Sequence, residues 1–521
     1  MSHRLFTAGE IRAIEAAHVR KFPKISLMQR AGAAVAKFAL TLVKKKSAAI
    51  LVLAGPGNNG GDAWVAAAAL KKGGHRVTVI ALGDHKFGDA AAKSAHAAFV
   101  RGKGAVRKDI PKDVGFDLVV DGLFGIGLGR APGGAFANTI EQVNAMRSQH
   151  GAPVLAIDIP SGLASDTGVA LGATIVADYT LTFLGFKPGM FTGNGKDHAG
   201  EVQLELLGVK TLVDAKISGE LLTAGNVRRL IPVRRQQSHK GTYGNAGIIG
   251  GAEGMVGAAV LAARAALYMG PGKVFLGVAA KDIPAFDPLN PEIMVRKADE
   301  LVADQGLTAI AIGMGLGTDK SAPRLLSAVL GRQLPIVLDA DALNLLATTP
   351  SFAAALATRS AKSSTGAPSG ARMLQTPRQY WTLVLTPHPG EAARLMNVSV
   401  AHLEADRVTS AIALAKRFDG IVVLKGPGTI IAAPDGRYFI NTSGNPGMAS
   451  GGMGDALSGM IVAFLAQGMD ALDAAKLAVY LHGAAADACM EHGMAPHGLT
   501  ASEVIFEARM LLNAGLEHHE H

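Results

Sequence analysis

Cysteine is almost missing from this chain, with a single residue, Cys489, among 521. An intrachain disulfide cannot form, and a thiolate metal cluster is excluded. Charge is sparse, at 18% Asp, Glu, Lys and Arg, and aromatic residues make up only 5%. No apolar run reaches the roughly 18 residues needed to span a bilayer; even MVGAAVLAARAAL (255–267) is broken by Arg264. The opening stretch MSHRLFTAGEIRAIEAAH lacks the apolar centre of a secretory leader. A soluble, cytoplasmic protein without a membrane partner is expected. Basic residues outnumber acidic ones by 51 to 42, for a net charge of +9. The basic clusters, Lys44–Lys46 and Arg228–Arg235, have no aromatics between them, so they read as solvated faces rather than a nucleic-acid surface.

Glycine and small apolar residues are abundant: 64 glycines, with 49% of the chain hydrophobic. That balance suits an α/β protein with many tight strand–helix turns. The length exceeds one ordinary core and predicts more than one domain. Over the first 207 residues, short β-rich runs (Ala49–Leu53, Arg76–Ala81, Leu118–Asp121, Val154–Asp158, Tyr179–Phe183, Glu201–Glu205) alternate with helical segments such as Asp62–Lys72 and Phe136–Gln149. The pattern predicts a Rossmann-like parallel sheet with helices on both faces. Residues 208–242 are polar and basic. A second α/β series follows, with strands at Ala246–Gly250, Lys273–Val278, Ala309–Ile312, Ile336–Asp339, Leu383–Thr386, Ile421–Lys425 and Thr429–Ala432, and Ala-rich helices near 454–467 and 471–490. The boundary is placed near residue 215, giving domains 1–215 and 216–521. Thr358–Arg378, rich in Ser, Gly, Pro and basic residues, reads as a surface insertion, and LEHHEH as a frayed tail.

GPGNNGGD (55–62) follows the first strand, and Gly55, Gly57 and Gly60 match the G-x-G-x-x-G dinucleotide pattern. Glycines there let backbone amides approach an anion at a helix N-terminus. A redox cofactor is one reading, with Asp84 as a possible ribose-binding acid. Asn58, Asn59 and Asp62 favour another, because amide and carboxylate oxygens suit a hard cation or a carboxamide. Asp121 ends a second strand before GLFGIGLGR (122–130), and Asp158 ends a third before IPSGL (159–163). One such aspartate is commonly a cap or turn residue. Three at the carboxyl ends of parallel strands point to one crevice.

In the second half, SGNPGMASGGMGD (443–455) opens an Ala-rich helix with Gly452, Gly454 and Asp455. It can be a plain glycine-rich cap, or an anion hole for a transferring phosphoryl group with Asp455 as the proton acceptor. KGPGT (425–429) sets Lys425 at a strand end, suited to phosphates. TPHPGE (386–391) holds His388 and Glu391 at a helix start, while GMGLG (313–317) and LDADALN (338–344) add glycines and acids.

These motifs carry two resemblances. LMQRAG (27–32), GPGNNGGD, DGLFGIGLGR and DIPSGLASDTG, in that order, resemble the NAD(P)H-hydrate epimerase domain over about residues 1–215. The resemblance implies that Asn58, Asn59, Gly60, Gly61 and Asp62, with Gly125, Ile126, Gly127, Leu128, Gly129, Arg130, Ala131 and Asp158, contact the hydrated dinucleotide. It further implies that Asn59, Asp121 and Ser161 hold potassium and that Asp158 is the acid/base group. HKGTYG, GMGLG, LDADALN, TPHPGE, KGPGT and NPGMASGGMGD resemble the ribokinase-like ADP/ATP-dependent NAD(P)H-hydrate dehydratases over about 216–512. By that resemblance Lys425, Gly426, Pro427, Gly428, Thr429 and Gly454 contact ADP or ATP, accompanied by magnesium. Ala258, Gly317, His388 and Asp455 contact the hydrate, and Asp455 is the base. The expected partners are hydrated NADH and NADPH, ADP, and further copies of the chain in a homo-oligomer. Two other readings stay open: a small-molecule kinase in the second half, and a non-catalytic binding module in the first.

Overall fold

Ligands of open α/β sheets bind at the carboxyl ends of the strands. The computed structural model describes residues 3–84, 88–111, 114–209, 219–282, 284–363 and 382–516. The chain divides into two compact units, Met1–Glu220 and Leu221–His521, whereas the sequence puts the boundary near 215. Residues 364–378 of the expected insertion and the tail after Leu516 lie outside the described residues.

The first unit contains β1 (Arg4–Leu5), β2 (Ala49–Ala54), β3 (Arg76–Ala81), β4 (Ala105–Arg107), β5 (Leu118–Gly122), β6 (Val154–Ile157), β7 (Tyr179–Phe183) and β8 (Glu201–Glu205). Strand β9 (Gly219–Leu222) pairs antiparallel with β1 through Gly219 and Glu220. β2 to β8 form a seven-stranded parallel sheet in the order β4-β3-β2-β5-β6-β7-β8. Alternate residues of β2 feed two cores: Ile50, Val52 and Ala54 enter one, Ala49, Leu51 and Leu53 the other. Both faces are therefore covered, as an all-parallel sheet requires. Strand order reverses between β2 and β5, and a crevice at their carboxyl ends is the expected ligand position.

The second unit contains β10 (Asn245–Gly250), β11 (Lys273–Val278), β12 (Met294–Lys297), β13 (Ala309–Ile312), β14 (Ile336–Leu338), β15 (Leu383–Leu385), β16 (Ile421–Leu424), β17 (Ile430–Ala432) and β18 (Tyr438–Asn441). Their order is β18-β17-β16-β15-β14-β13-β10-β11-β12. Pairs from β12 through β16 are parallel, and the two pairs at the β18 end are antiparallel. Helices Val256–Tyr268, Met453–Ala466, Ala471–Glu491 and Ala501–Asn513 share one core.

Several strands end one residue earlier than the sequence predicts. Asp158, Asp339, Thr386 and Lys425 each sit just past a strand, where polar side chains leave the ladder for caps and sites. The helix after β2 starts at Asn58 rather than Asp62. Edge strands such as β4, exposed at every residue, offer no apolar signal and were not predicted.

Candidate functional sites at the two sheet edges

The first site is built by glycine contacts that only backbone can make. A Cβ on Gly55 would lie 1.9 Å from the Leu123 carbonyl oxygen, and one on Gly60 would lie 1.8 Å from that of Gly55. The β2 and β5 turns are thereby locked together at the switch point. Gly57, by contrast, has nothing within 4 Å of an added Cβ and lines the cavity. Gly60→Ala is expected to cost about 2–3 kcal/mol from overpacking against backbone, checked by urea unfolding, while Gly57→Ala leaves stability unchanged.

The cavity, about 970 Å³, is lined by Gly57, Asn58, Asn59, Asp62, the 123–130 loop and Asp158. From the N-terminal helices come Arg12, Glu15 and Met28. Gly60, Gly61 and Ala131 are not among the lining residues; Gly61 packs against Met28 instead. Asp62 is buried, and burial together with Asp158, Glu15 and Asp89 pushes its carboxyl well above the usual range. Glu15 is raised as well, first by burial and then by Asp158.

Behind this wall Asn59 and Ser161 meet the backbone of Phe124, and Asp121 joins them through Ser161 and the Leu123 amide. Asn59 Nδ2 donates to the carbonyls of Phe124 (2.8 Å) and Ile157 (3.0 Å), leaving its buried Oδ1 without a hydrogen-bond partner. Ser161 Oγ accepts from the Phe124 amide at 2.9 Å and donates to Asp121 Oδ1 at 2.7 Å. The Ser161 amide donates to Asp121 Oδ2 at 2.8 Å. Burial raises the Asp121 carboxyl to about 6 despite these bonds. An orphaned amide oxygen, a hydroxyl and a buried carboxylate form an all-oxygen set whose chemistry fits a potassium ion. Among the described residues, no group of three or more His, Cys, Asp or Glu side chains gathers as a metal site.

Sequence reasoning missed Lys187, which is fully buried and ion-paired with Asp158. The FKPG stretch that carries it offers only a lysine before a turn, and its partner is 29 residues away in the chain.

The second site centres on Lys425. Its Nζ donates to Asp339 Oδ1 at 2.8 Å, and an added Cβ on Gly454 would lie 3.1 Å from that same Nζ. Burial pulls the Lys425 pKa down, but Asp339 and Glu391 outweigh it and leave it raised. Asp339 Oδ2 accepts from Ser458 Oγ at 2.8 Å. In helix Met453–Ala466 every residue is buried except Gly454 and Asp455. These two are thus the part of the helix turned away from the core. The Asp455 carboxyl is pushed up to about 6, chiefly by burial, with Asp339 and Asp341 adding and Lys425 opposing.

The remaining predicted residues ring this centre. The Gly317 amide donates to Asp341 Oδ2 at 2.8 Å, and the neighbouring Gly315 packs against Ala258. His388 caps helix Pro389–Met396, accepting from the Gly390 amide at 3.0 Å, while the Glu391 carboxylate accepts from the His388 amide. Burial and the nearby Lys425 lower the His388 pKa. Gly426 has φ +134 and faces the Arg407 guanidinium, which donates to the Lys425 carbonyl at 3.1 Å. Thr429 Oγ1 donates to the Gly426 carbonyl at 3.1 Å. Arg407, buried behind the KGPGT turn, is a supporting residue no local motif announces.

One parallel and one largely parallel sheet, each with glycine-rich turns and carboxylates at its carboxyl edge, define an α/β protein with a candidate site in each of its two units. Residues 246–507 match the family described as NAD(P)H-hydrate dehydratase, and residues 24–189 match that described as YjeF-related protein N-terminus. The chain is 36% identical to the bifunctional NAD(P)H-hydrate repair enzyme of Escherichia coli over 98% of its own length and 94% of that protein. It is 35% identical to the enzyme of that name from Coxiella burnetii, over 98% and 99% respectively. A crystal structure of a Bacillus subtilis ADP/ATP-dependent NAD(P)H-hydrate dehydratase, co-crystallised with ATP and magnesium, is 33% identical with a TM-score of 0.48, covering 57% of this chain and 98% of that one. The chain belongs to the family of bifunctional NAD(P)H-hydrate repair enzymes.

Proposed function

We propose that the chain restores hydrated NADH and NADPH in two steps, one in each unit. The first unit interconverts the R and S hydrates. The second dehydrates the S hydrate with ADP, or ATP in its place, giving NAD(P)H, AMP and phosphate in the ADP case. The observation that carries this reading is a carboxylate at each sheet edge next to a lysine and glycine-rich turns: Asp158 just past β6, ion-paired with the buried Lys187, and Asp455 in the first turn of its helix, near Lys425.

In the first unit, epimerisation inverts the hydroxyl-bearing ring carbon without hydride transfer. It calls for a group that moves a proton on and off the reacting centre. Asp158 lines the cavity and takes that role. Gly57, Asn58 and the 125–130 loop approach the phosphates, and Arg130 adds charge at the rim. Asn59, Asp121 and Ser161 would hold potassium, which supplies positive charge beside the ring when bound. Replacing potassium chloride by choline chloride is expected to lower the epimerisation rate at least tenfold with dehydration unchanged, measured by separating the two epimers chromatographically.

In the second unit, Asp455 takes the proton of the ring hydroxyl as its oxygen attacks the terminal phosphorus of the nucleotide. Lys425 and the amides at Gly454 hold the phosphates, where charge develops. Phosphate then leaves with the C–O bond pair, driven by the ring nitrogen lone pair, and proton loss from the adjacent carbon restores the dihydronicotinamide. Magnesium would enter bound to the nucleotide's phosphates and offset their charge beside Lys425 and Gly454. We further place the protein in the cytoplasm as a homo-oligomer, with neither nucleic acid nor membrane as partner; no helix among the described residues is long and apolar enough to cross a membrane. Incubating the chain with the S hydrate of NADH, ADP and magnesium tests the second step. Recovery of reduced-nicotinamide absorbance with one AMP per turnover is expected, and a stable phosphorylated hydrate would refute it.

A further inference from the structure

We propose that Lys187 is a positioning residue for epimerisation, fixing one oxygen of Asp158 so that the other faces the substrate. The inference rests on the epimerase reading of the first unit. Lys187 follows β7 and is fully buried. Its ammonium donates to Asp158 Oδ1, to Thr182 Oγ1 at 2.8 Å and to the Phe183 carbonyl at 2.9 Å. All three of its protons are committed, so the ammonium is held in one orientation. Asp158 Oδ1 also accepts from the Phe183 amide at 3.1 Å and from Thr182 Oγ1 at 3.3 Å. Among the described residues, no donor reaches Asp158 Oδ2.

The backbone agrees with this division of labour. Asp158 has φ +64, a left-handed conformation that is unfavourable for an L residue and persists only when surrounding contacts enforce it. Turned this way at the end of β6, the carboxyl meets Lys187 on one side and the cavity on the other.

Glu15, Asp62 and Asp89 line the cavity together with Asp158, and Arg12, Lys24 and Arg130 are the cations that line it with them. Arg12 is engaged elsewhere, donating to the Ile126 carbonyl at 3.2 Å. Lys187 is ion-paired with Asp158, and its charge also reaches Glu15. Burial and the neighbouring carboxylates hold Asp62 and Glu15 towards their neutral forms.

A purely structural ion pair would leave turnover alone once the protein is folded. The test uses the full chain without nucleotide, following conversion of the R to the S hydrate of NADH. Lys187→Met and Lys187→Gln are compared with Asp158→Asn and with the double variant Lys187→Met/Asp158→Asn. Both single lysine variants are expected to lose on the order of 100-fold in kcat, with KM within threefold of wild type. In the Asp158→Asn background, Lys187→Met should cost less than threefold more, because the lysine acts through that carboxylate. Thermal unfolding identifies the folded variants, and Lys187→Gln, which retains donors to Thr182 and Phe183, is read where Lys187→Met has unfolded. Wild-type kcat in either folded lysine variant overturns the inference, as does independent, multiplicative loss in the double variant. A wild-type chain that never converts the epimers would instead overturn the epimerase reading.

Discussion

Asp455→Asn is expected to remove dehydration, by about 1,000-fold or more in kcat, while epimerisation continues at the wild-type rate. General-base catalysis alone is worth about 100- to 10,000-fold, and this carboxylate has no substitute on its helix, where only Gly454 and Asp455 escape burial. Asparagine keeps the shape and the helix start but cannot accept the proton. The wild-type pH profile follows from the same environment. Burial and the adjacent Asp339 and Asp341 raise the carboxyl to about 6, so kcat/KM for the hydrate should be flat above pH 7 and fall about tenfold per unit well below 6. The stability sign is opposite: with the folded pKa above the unfolded value, the folded state binds more protons, and this group's contribution becomes more favourable as pH falls from about 6 towards 4. Initial rates with saturating ADP and magnesium check both statements. Intact dehydration in Asp455→Asn would remove the residue from the mechanism.

Asp158→Asn is expected to lose epimerisation by a comparable factor, about 1,000-fold, with dehydration of the S hydrate untouched. A second consequence separates this site from the first. Lys187 is fully buried, and in Asp158→Asn its ammonium keeps only neutral acceptors, the asparagine carbonyl, Thr182 and Phe183. Removing one partner of a buried ion pair costs about 3–5 kcal/mol, so the first unit should also melt earlier. Lys187→Met/Asp158→Asn removes both charges and should recover most of that loss without recovering activity. Recovered epimerisation in the double variant would show that Asp158 matters only for folding.

The parallel order of strands, and with it the crevice, was legible because buried β runs ending in Asp or Asn and followed by glycines leave a strong local pattern. Asp121 and Asp158 could be picked out for that reason, and Asp455 from the glycine run that opens its helix. The dinucleotide pattern at Gly55, Gly57 and Gly60 was legible too, although its glycines do different work: Gly55 and Gly60 admit neighbouring backbone, and only Gly57 opens to the cavity. Lys187, Asp339 as the partner of Lys425, and Arg407 behind the KGPGT turn escaped notice. Each acts across a long sequence separation, 29 residues for Lys187 and Asp158 and 86 for Lys425 and Asp339, and no periodicity encodes such a pairing. Edge strands such as Ala105–Arg107 escaped for the opposite reason: all three residues are exposed, and the ladder is held by backbone alone.

The central claim is that two sites on one chain act in sequence on one damaged molecule. It is tested most directly by giving the whole chain an excess of the pure R hydrate of NADH with ADP, magnesium and potassium. Reduced-nicotinamide absorbance should recover in full, with one AMP formed per molecule restored. Asp158→Asn should leave the R hydrate untouched while still restoring the S hydrate. An R hydrate that stays unconverted in the wild-type chain, or AMP released without restored dihydronicotinamide, would contradict the account.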